Sequence, residues 1–319
     1  MKAIRVSEFG DADRLRLEEI EKPVPGPGQV LVRVMAAGVN PVDTYIRSGT
    51  HSVRPDLPYT PGKDAAGIIE AVGEGVAIPL GTRVYTADSL TGTYAEFCLC
   101  NEEQVHALGE GISFEQGAGI FVPYATAYRA LFQKAQAKAG ETVLIHGASG
   151  AVGIAAIQFA RRAGLRVIGT AGSEAGIELI KNTGADFAFN HSAEGHLGEI
   201  LGATDGSGVD IILEMLANEN LEKDFGVLAK FGRIVVIGNR GSLEFTPRLA
   251  MAKDASIHGM VLFNASKEEM EQIYAAIAEG MDCGVIDPVV ESQFRLEDAA
   301  DAHRAVISRK ALGKIVLIP

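Results

Sequence analysis

Over its first third the chain alternates apolar and polar residues, and near its middle the period changes. Lys2–Phe9, Arg14–Ile20, Gln29–Met35, Ala65–Val72 and Tyr94–Cys100 are short alternating or branched-rich runs separated by Gly and Pro, the pattern of strands. Pro23, Pro25 and Pro27 bracket a stiff extended connector, after which strand patterning resumes at once. Around residue 113 the spacing lengthens. Ser113-Phe114-Glu115-Gln116 is a capping-box pattern, and Tyr124 to Lys134 carries an apolar helical face after Pro123.

From Glu141 strands and helices alternate strictly. The predicted strands are Thr142–His146, Arg166–Thr170, Phe187–Asn190, Val209–Glu214, Arg233–Gly238 and Ser256–Leu262. Helices are predicted over Ala151–Ala163 and over Ser173–Asn182, the latter stopped near Gly184. Short apolar runs between helices predict a parallel sheet covered on both faces. After about residue 264 come a capped helix (Ser266 with Glu269), a strand near Pro288–Ser292, an amphipathic helix over Leu296–Arg309 and a strand over Lys314–Ile318. The expected fold class is α/β: a β-rich domain interrupted by a dinucleotide fold. Its segments are residues 1–120, 121–262 and 263–319, the last returning to complete the first domain.

Length and charge narrow the classes. A chain of 319 residues holds about two domains with full cores. A net charge of -12 disfavours nucleic acid and anionic membrane. Three cysteines cannot build a disulfide framework, and no apolar leader or spanning stretch is seen, so a soluble cytoplasmic protein is expected. The 37 glycines, about 12% against a usual 7% or so, indicate tight turns and close backbone approaches.

The sharpest motif runs from Val143 to Gly153: an apolar strand, the turn His146-Gly147-Ala148-Ser149-Gly150 and then a helix. It is the dinucleotide fingerprint with Ala148 in place of the first glycine. Gly150 would let a pyrophosphate approach the backbone and Gly153 would let the helix pack on the sheet. The N–H groups of Ser149, Gly150, Ala151 and Val152 would face the phosphates. At the end of the second strand, where NAD sites place an acidic residue, the chain reads Gly169-Thr170-Ala171-Gly172-Ser173, small and neutral. That leaves room for a 2′-phosphate and favours NADPH. No Lys or Arg follows at once, so Lys181, His191 and Arg309 are the candidates to neutralise it.

Along its whole length the chain resembles the zinc-free medium-chain dehydrogenase/reductases, specifically the zeta-crystallin-type NADPH:quinone oxidoreductases. The resemblance rests on residues 37–49 (Ala-Gly-Val-Asn-Pro-Val-Asp-Thr-Tyr-Ile-Arg-Ser-Gly), 57–62, 122–131, the glycine turn and 214–221. It implies a GroES-like catalytic domain, a Rossmann domain and a cofactor cleft. Asn40, Asp43 and Tyr45 would sit at the nicotinamide pocket, with Tyr45 able to donate to a substrate oxygen. Thr126 would bond near the nicotinamide. Gly172, Ser173 and His191 match the adenosine-phosphate end. Asn220, Ile237, Gly238, Asn239 and Arg240 match the far wall, and Phe263 the closing loop.

Zinc-dependent relatives use Cys where Ala37 stands and His-Glu where Lys63-Asp64 stand, so no metal is expected. Cys98 and Cys100 are expected in a packed core, and the histidines other than His191 as surface or satisfied interior residues. Without a Lewis acid, a quinone is the fitting acceptor, because its reduced product delocalises charge. An enone, alkenal or enoyl-thioester is the rival substrate. A non-enzymatic cofactor-binding or RNA-binding role is the rival of another class, and the charge and absent aromatic–basic interleaving argue against RNA. A homodimer or homotetramer is expected, paired through the strand Ser256–Leu262 at a sheet edge.

Overall fold

The computed structural model describes residues 1–307 and 312–319. The chain divides into two compact units, one formed by residues 1–122 and 287–319, the other by 123–286.

The first unit begins with β1 (Lys2–Arg5) paired antiparallel to β2 (Arg16–Glu19). The long strand β3 (Gln29–Val39) runs into helix α1 (Pro41–Ser48). Next come β4 (Asp64–Val72), β5 (Arg83–Thr86), β6 (Phe97–Asn101), β7 (Val105–Ala107) and the short helix α2 (Phe114–Gly117). Ser113 and Gln116 make the reciprocal bonds of the predicted capping box. Val30, Val32, Val34, Ile69, Val84, Cys98 and Cys100 alternate inward and form its core with Ile315 and Leu317.

Helix α3 (Phe121–Tyr128) leads into the second unit and continues as a wider turn over Arg129–Lys134. The unit then alternates β8 (Thr142–Ile145), α4 (Ala151–Arg162), β9 (Arg166–Ala171), α5 (Glu174–Thr183), β10 (Phe187–Asn190), α6 (His196–Ala203), β11 (Val209–Glu214), α7 (Ala217–Asp224), β12 (Leu228–Val236), α8 (Pro247–Lys253) and β13 (Ser256–Gly259). The strands are parallel in the order β10-β9-β8-β11-β12-β13, with β13 at the edge. Strand order reverses between β8 and β11, the switch point of a Rossmann fold.

Helix α9 (Lys267–Asp282) follows. The expected boundary at 262/263 is corrected here, because residues 263–286 lie in the second unit. Arg129 on the wider turn donates to Glu269 Oε2 at 2.6 Å, and Gln133 donates to the Glu269 carbonyl at 2.8 Å. Ile273 and Ile277 are fully buried on the inner face of α9. The return begins at Asp287 and supplies β14 (Val290–Arg295), α10 (Ala299–Val306) and β15 (Lys314–Ile318). There β15 lies between β14 and β3, inside the sheet of the first unit.

Candidate functional site

In the first unit the site is built where β3 ends. Asn40 caps α1, and Pro41 at its first position suits the fixed φ of a helix start. The Asp43 carboxylate reaches back to accept the Asn40 N–H at 2.9 Å and also accepts the Tyr94 hydroxyl at 3.0 Å. Burial pushes Asp43 up to about 6, against these hydrogen bonds, which pull it down. Tyr94 in turn meets His303 Nε2 at 3.1 Å. Burial drives His303 down to about 3, so its imidazole is neutral. Tyr45, half-buried, lies one helical step further on α1. A cavity of about 400 Å³ in this unit is lined by Asp43, Ile46, Tyr59, Lys63 and Asp88 among others. It falls within the size range of small-ligand pockets.

The positions that hold zinc in metal-dependent relatives do not suit a metal here. Ala37 offers only a methyl group. The Lys63 ammonium pairs with Asp88 at 2.8 Å. Asp64 accepts from Asn40 Nδ2 at 3.0 Å, from the Val122 N–H at 3.0 Å and from the buried Lys314 ammonium at 2.7 Å. Lys314 also donates to Asn40 Oδ1 at 2.7 Å, so a resident cation already neutralises the carboxylate. Cys98 and Cys100 are buried in the core cluster.

In the second unit the glycine turn sits at the switch point. Gly147 takes a left-handed φ of 56°, and the Ala148 N–H bonds the Thr170 carbonyl at 2.8 Å, tying the turn to β9. Gly150 is the N-cap of α4. Its N–H bonds the Gly147 carbonyl at 3.0 Å, so that donor is spent within the turn, contrary to the expectation that it faces a phosphate. Ala151 and Val152 occupy the first turn of α4, where N–H groups have no intrahelical partner and the helix end is positive. A Cβ at Gly153 would stand 2.5 Å from Ala148 Cα, which accounts for the glycine.

At the second-strand end, local hydrogen bonds hold residues 171–176 and His191 together. Ser173 caps α5 by accepting the Gly176 N–H at 3.2 Å, and Gly172 precedes it. The His191 N–H bonds the Ala171 carbonyl at 3.0 Å, which brings this exposed histidine beside Gly172. At the ends of β11 and β12, the Ile237 N–H and Gly238 N–H both donate to the Glu214 carbonyl, at 2.9 and 3.2 Å. A Cβ at Gly238 would lie 2.2 Å from the Met215 carbonyl oxygen. Arg240 N–H donates to Asn218 Oδ1 at 2.9 Å, Asn239 Nδ2 donates to the Gly241 carbonyl at 2.6 Å, and Asn220 Nδ2 donates to Glu214 Oε1 at 3.3 Å. Phe263 is 42% exposed on the turn after β13. Thr126 is buried on α3. Arg309 lies outside the described residues.

The chain thus gathers Asn40, Asp43 and Tyr45 in the first unit. Within the second it gathers two groups along the carboxyl ends of one sheet, residues 149–173 with His191, and residues 220–240. Sequence reasoning missed Asp64, Tyr94, His303 and Lys314 because their partners are far apart in the chain. It also missed the cluster of His146, Glu214 and Asp224, which stand at or just past the ends of three different elements. Among the described residues, no helix is long and apolar enough to cross a membrane.

Two family models match: an alcohol dehydrogenase GroES-like domain over residues 26–137 and a zinc-binding dehydrogenase over residues 151–300. The chain is 49% identical to the quinone oxidoreductase of Homo sapiens, covering 100% of this chain and 98% of that protein. It is 31% identical to the synaptic vesicle membrane protein VAT-1 homolog of Rattus norvegicus, covering 100% and 84%. Among solved structures, the Escherichia coli quinone oxidoreductase complexed with NADPH matches with a TM-score of 0.90 at 29% identity, covering 100% of both chains. A mycobacterial protein complexed with NADPH matches with a TM-score of 0.91 at 30% identity, again covering 100% of both chains. With full-length identity near one half, joined to a GroES-like domain and a Rossmann sheet, the chain belongs to the quinone oxidoreductase family of the medium-chain dehydrogenase/reductases, a family of oxidoreductase enzymes.

Proposed function

We propose that the protein reduces quinones with NADPH and without a metal. The observation that carries the reading is the glycine turn at the switch point beside a small, neutral second-strand end. NADPH bound there supplies a hydride from its nicotinamide. The first turn of α4 holds the pyrophosphate by N–H groups and its positive end. Gly172 and Ser173 leave space for the 2′-phosphate, and His191 bonds it. Asn220, Ile237, Gly238, Asn239, Arg240 and Phe263 complete the nucleotide groove, and Thr126 bonds near the nicotinamide.

Asn40 and Asp43 shape the acceptor's surroundings, and Tyr45 donates its hydroxyl to an acceptor oxygen. Asp43 titrates near 6 and so holds a proton on part of the molecules near neutral pH, beside the cavity. A flat conjugated acceptor needs no more than this, because its reduced form spreads the charge and takes protons from water or Asp43. An enone or enal suits the same chemistry and is the alternative substrate. The protein acts as a soluble homo-oligomer, pairing copies through the edge strand β13, where Ile257 is 41% exposed.

Steady-state oxidation of NADPH with a panel of ortho-quinones, para-quinones and enals tests the activity. Turnover is expected with quinones first, and no turnover with any acceptor would refute it. Fluorescence titration should show tighter binding of NADPH than NADH. His191→Gln should narrow that preference by about tenfold, the worth of one charge-assisted hydrogen bond. Equal affinities in the wild type would refute the 2′-phosphate assignment.

A further inference from the structure

His146, Glu214 and Asp224 meet in the interior of the second unit, all three buried. His146 directly follows β8, Glu214 ends β11, and Asp224 ends α7. The imidazole Nε2 lies 2.9 Å from Asp224 Oδ1 and 3.7 Å from Glu214 Oε2, while Nδ1 lies 3.3 Å from Thr170 Oγ1 on β9. Glu214 Oε1 accepts the Leu216 N–H and Asn220 Nδ2. Two buried oxygens remain without a donor, Glu214 Oε2 and Asp224 Oδ2.

Charge and hydrogen bonding set the same requirement. An imidazolium compensates one of the two carboxylates and leaves the other as a buried excess charge. Two carboxylates sharing a site do not both ionise readily, and one holds its proton to high pH. One added proton gives both orphan oxygens a partner, because a carboxylic acid donates where a carboxylate only accepts. Carboxylate oxygens of Glu214 and Asp224 lie within 4.8 Å of each other, and burial together with Asp224 holds Glu214 up to about 7 despite the pull of His146.

We infer that Glu214 is a neutral carboxylic acid donating to Asp224, and that it is the positioning residue for the nucleotide wall formed by residues 215–220 and 237–240. This rests on the dinucleotide reading above. The acid's Oε1 fixes Leu216 and Asn220, and its own backbone carbonyl receives Ile237 and Gly238. Gly238 returns its carbonyl to the Ala217 N–H at 3.0 Å. Both segments of the wall, through four of their residues, therefore hang on Glu214. The titratable groups facing Glu214 are His146 from the end of β8 and Asp224 from α7. Strand β12 presents Val236 opposite it in register, and β9 presents Thr170 to the imidazole. Loss of the Glu214 proton leaves two like charges in contact and loosens the wall, so nucleotide affinity falls as pH rises through neutrality.

The test uses the full-length protein labelled with ¹³C at the glutamate carboxyls. Near neutral pH, infrared spectra are expected to contain a carboxylic-acid C=O band that shifts with the label and is missing from Glu214→Gln. Glu214→Gln keeps a donor and an acceptor, so it should bind NADPH within about threefold of wild type, with the pH dependence flattened. Glu214→Ala should bind at least about tenfold more weakly. Absence of the labelled band overturns the inference, as does a Gln variant that binds as weakly as the Ala variant. So does stoichiometric divalent metal in the purified protein, lost in His146→Gln, because a cation would then replace the proton. If the band is present but the wild type binds no NADPH, the proton assignment is supported, and the positioning role falls together with the dinucleotide reading.

Discussion

Gly150 and Gly153 stand three residues apart in one turn and are glycines for different reasons. A Cβ at Gly153 has Ala148 Cα at 2.5 Å, backbone that cannot yield. A Cβ at Gly150 meets only the Gly147 carbonyl oxygen, at 3.4 Å, and the residue's φ of -79° suits any side chain. Gly153→Val is therefore expected to destabilise the protein by about 3 kcal/mol or more through overpacking, seen as a lowered Tm. Gly150→Ala should leave Tm within a degree or two and weaken NADPH binding by about tenfold or more, because its methyl occupies the approach of the pyrophosphate. A Gly150→Ala variant with unchanged affinity would remove the pyrophosphate from this turn. Both glycines are legible in the sequence as a motif. Which of them packs and which admits a ligand is visible only once Ala148 is in place.

At the scale of elements, strands Phe187–Asn190, Val209–Glu214 and Lys314–Ile318 form over the predicted bounds, α4 and α5 lie within a residue of theirs, and α9 begins at the predicted cap, Ser266. Their apolar runs are bounded by caps and glycines that act locally. Helix α1 was not legible in the same way. It carries Asp43, Thr44 and Arg47 inward with Ile46 as the one apolar residue among them, so its buried face is mostly polar and has no apolar stripe to read. The chain Asp43–Tyr94–His303 explains this, since α1 packs on partners drawn from β6's approach and from α10. The chain also sets a pH response. His303 falls from an ordinary 6.5 to about 3, so the folded state takes up fewer protons than the unfolded one, and stability is lost as pH falls below about 6.5. Asp43 rises from 3.8 to about 6, so its contribution has the opposite sign, full below about 3.8 and lost as pH rises towards 6. His303→Gln removes the first effect and keeps a side chain able to bond Tyr94. Denaturant unfolding between pH 4 and 7 should show a shallower acid decline for this variant than for wild type. Parallel curves would show that His303 does not titrate with folding.

On the scale of the whole molecule, the two units differ in how the chain is spent on them. The second is a single run from 123 to 286, whereas the first needs residues 1–122 together with 287–319. Strand β15 is inserted between β14 and β3 in the first unit's sheet, and its Lys314 ammonium is the cation that balances Asp64. A chain ending at Ile286 should therefore keep a protease-resistant core spanning the second unit, while residues 1–122 are digested at once. Equal resistance of both parts in limited proteolysis would contradict this division.

The placement of β15 also bears on how the protein is made. A ribosome releases residues in order, so the contiguous nucleotide fold can close on itself during synthesis. The first third must meanwhile wait as an open sheet, its β3 edge uncovered and Asp64 without its ammonium. Asn40 and Asp43 leave the exit tunnel well before Lys314, whose ammonium completes the bonds around Asn40. In the interval between the two, the sheet of the first unit lacks the two strands that complete it, β14 and β15.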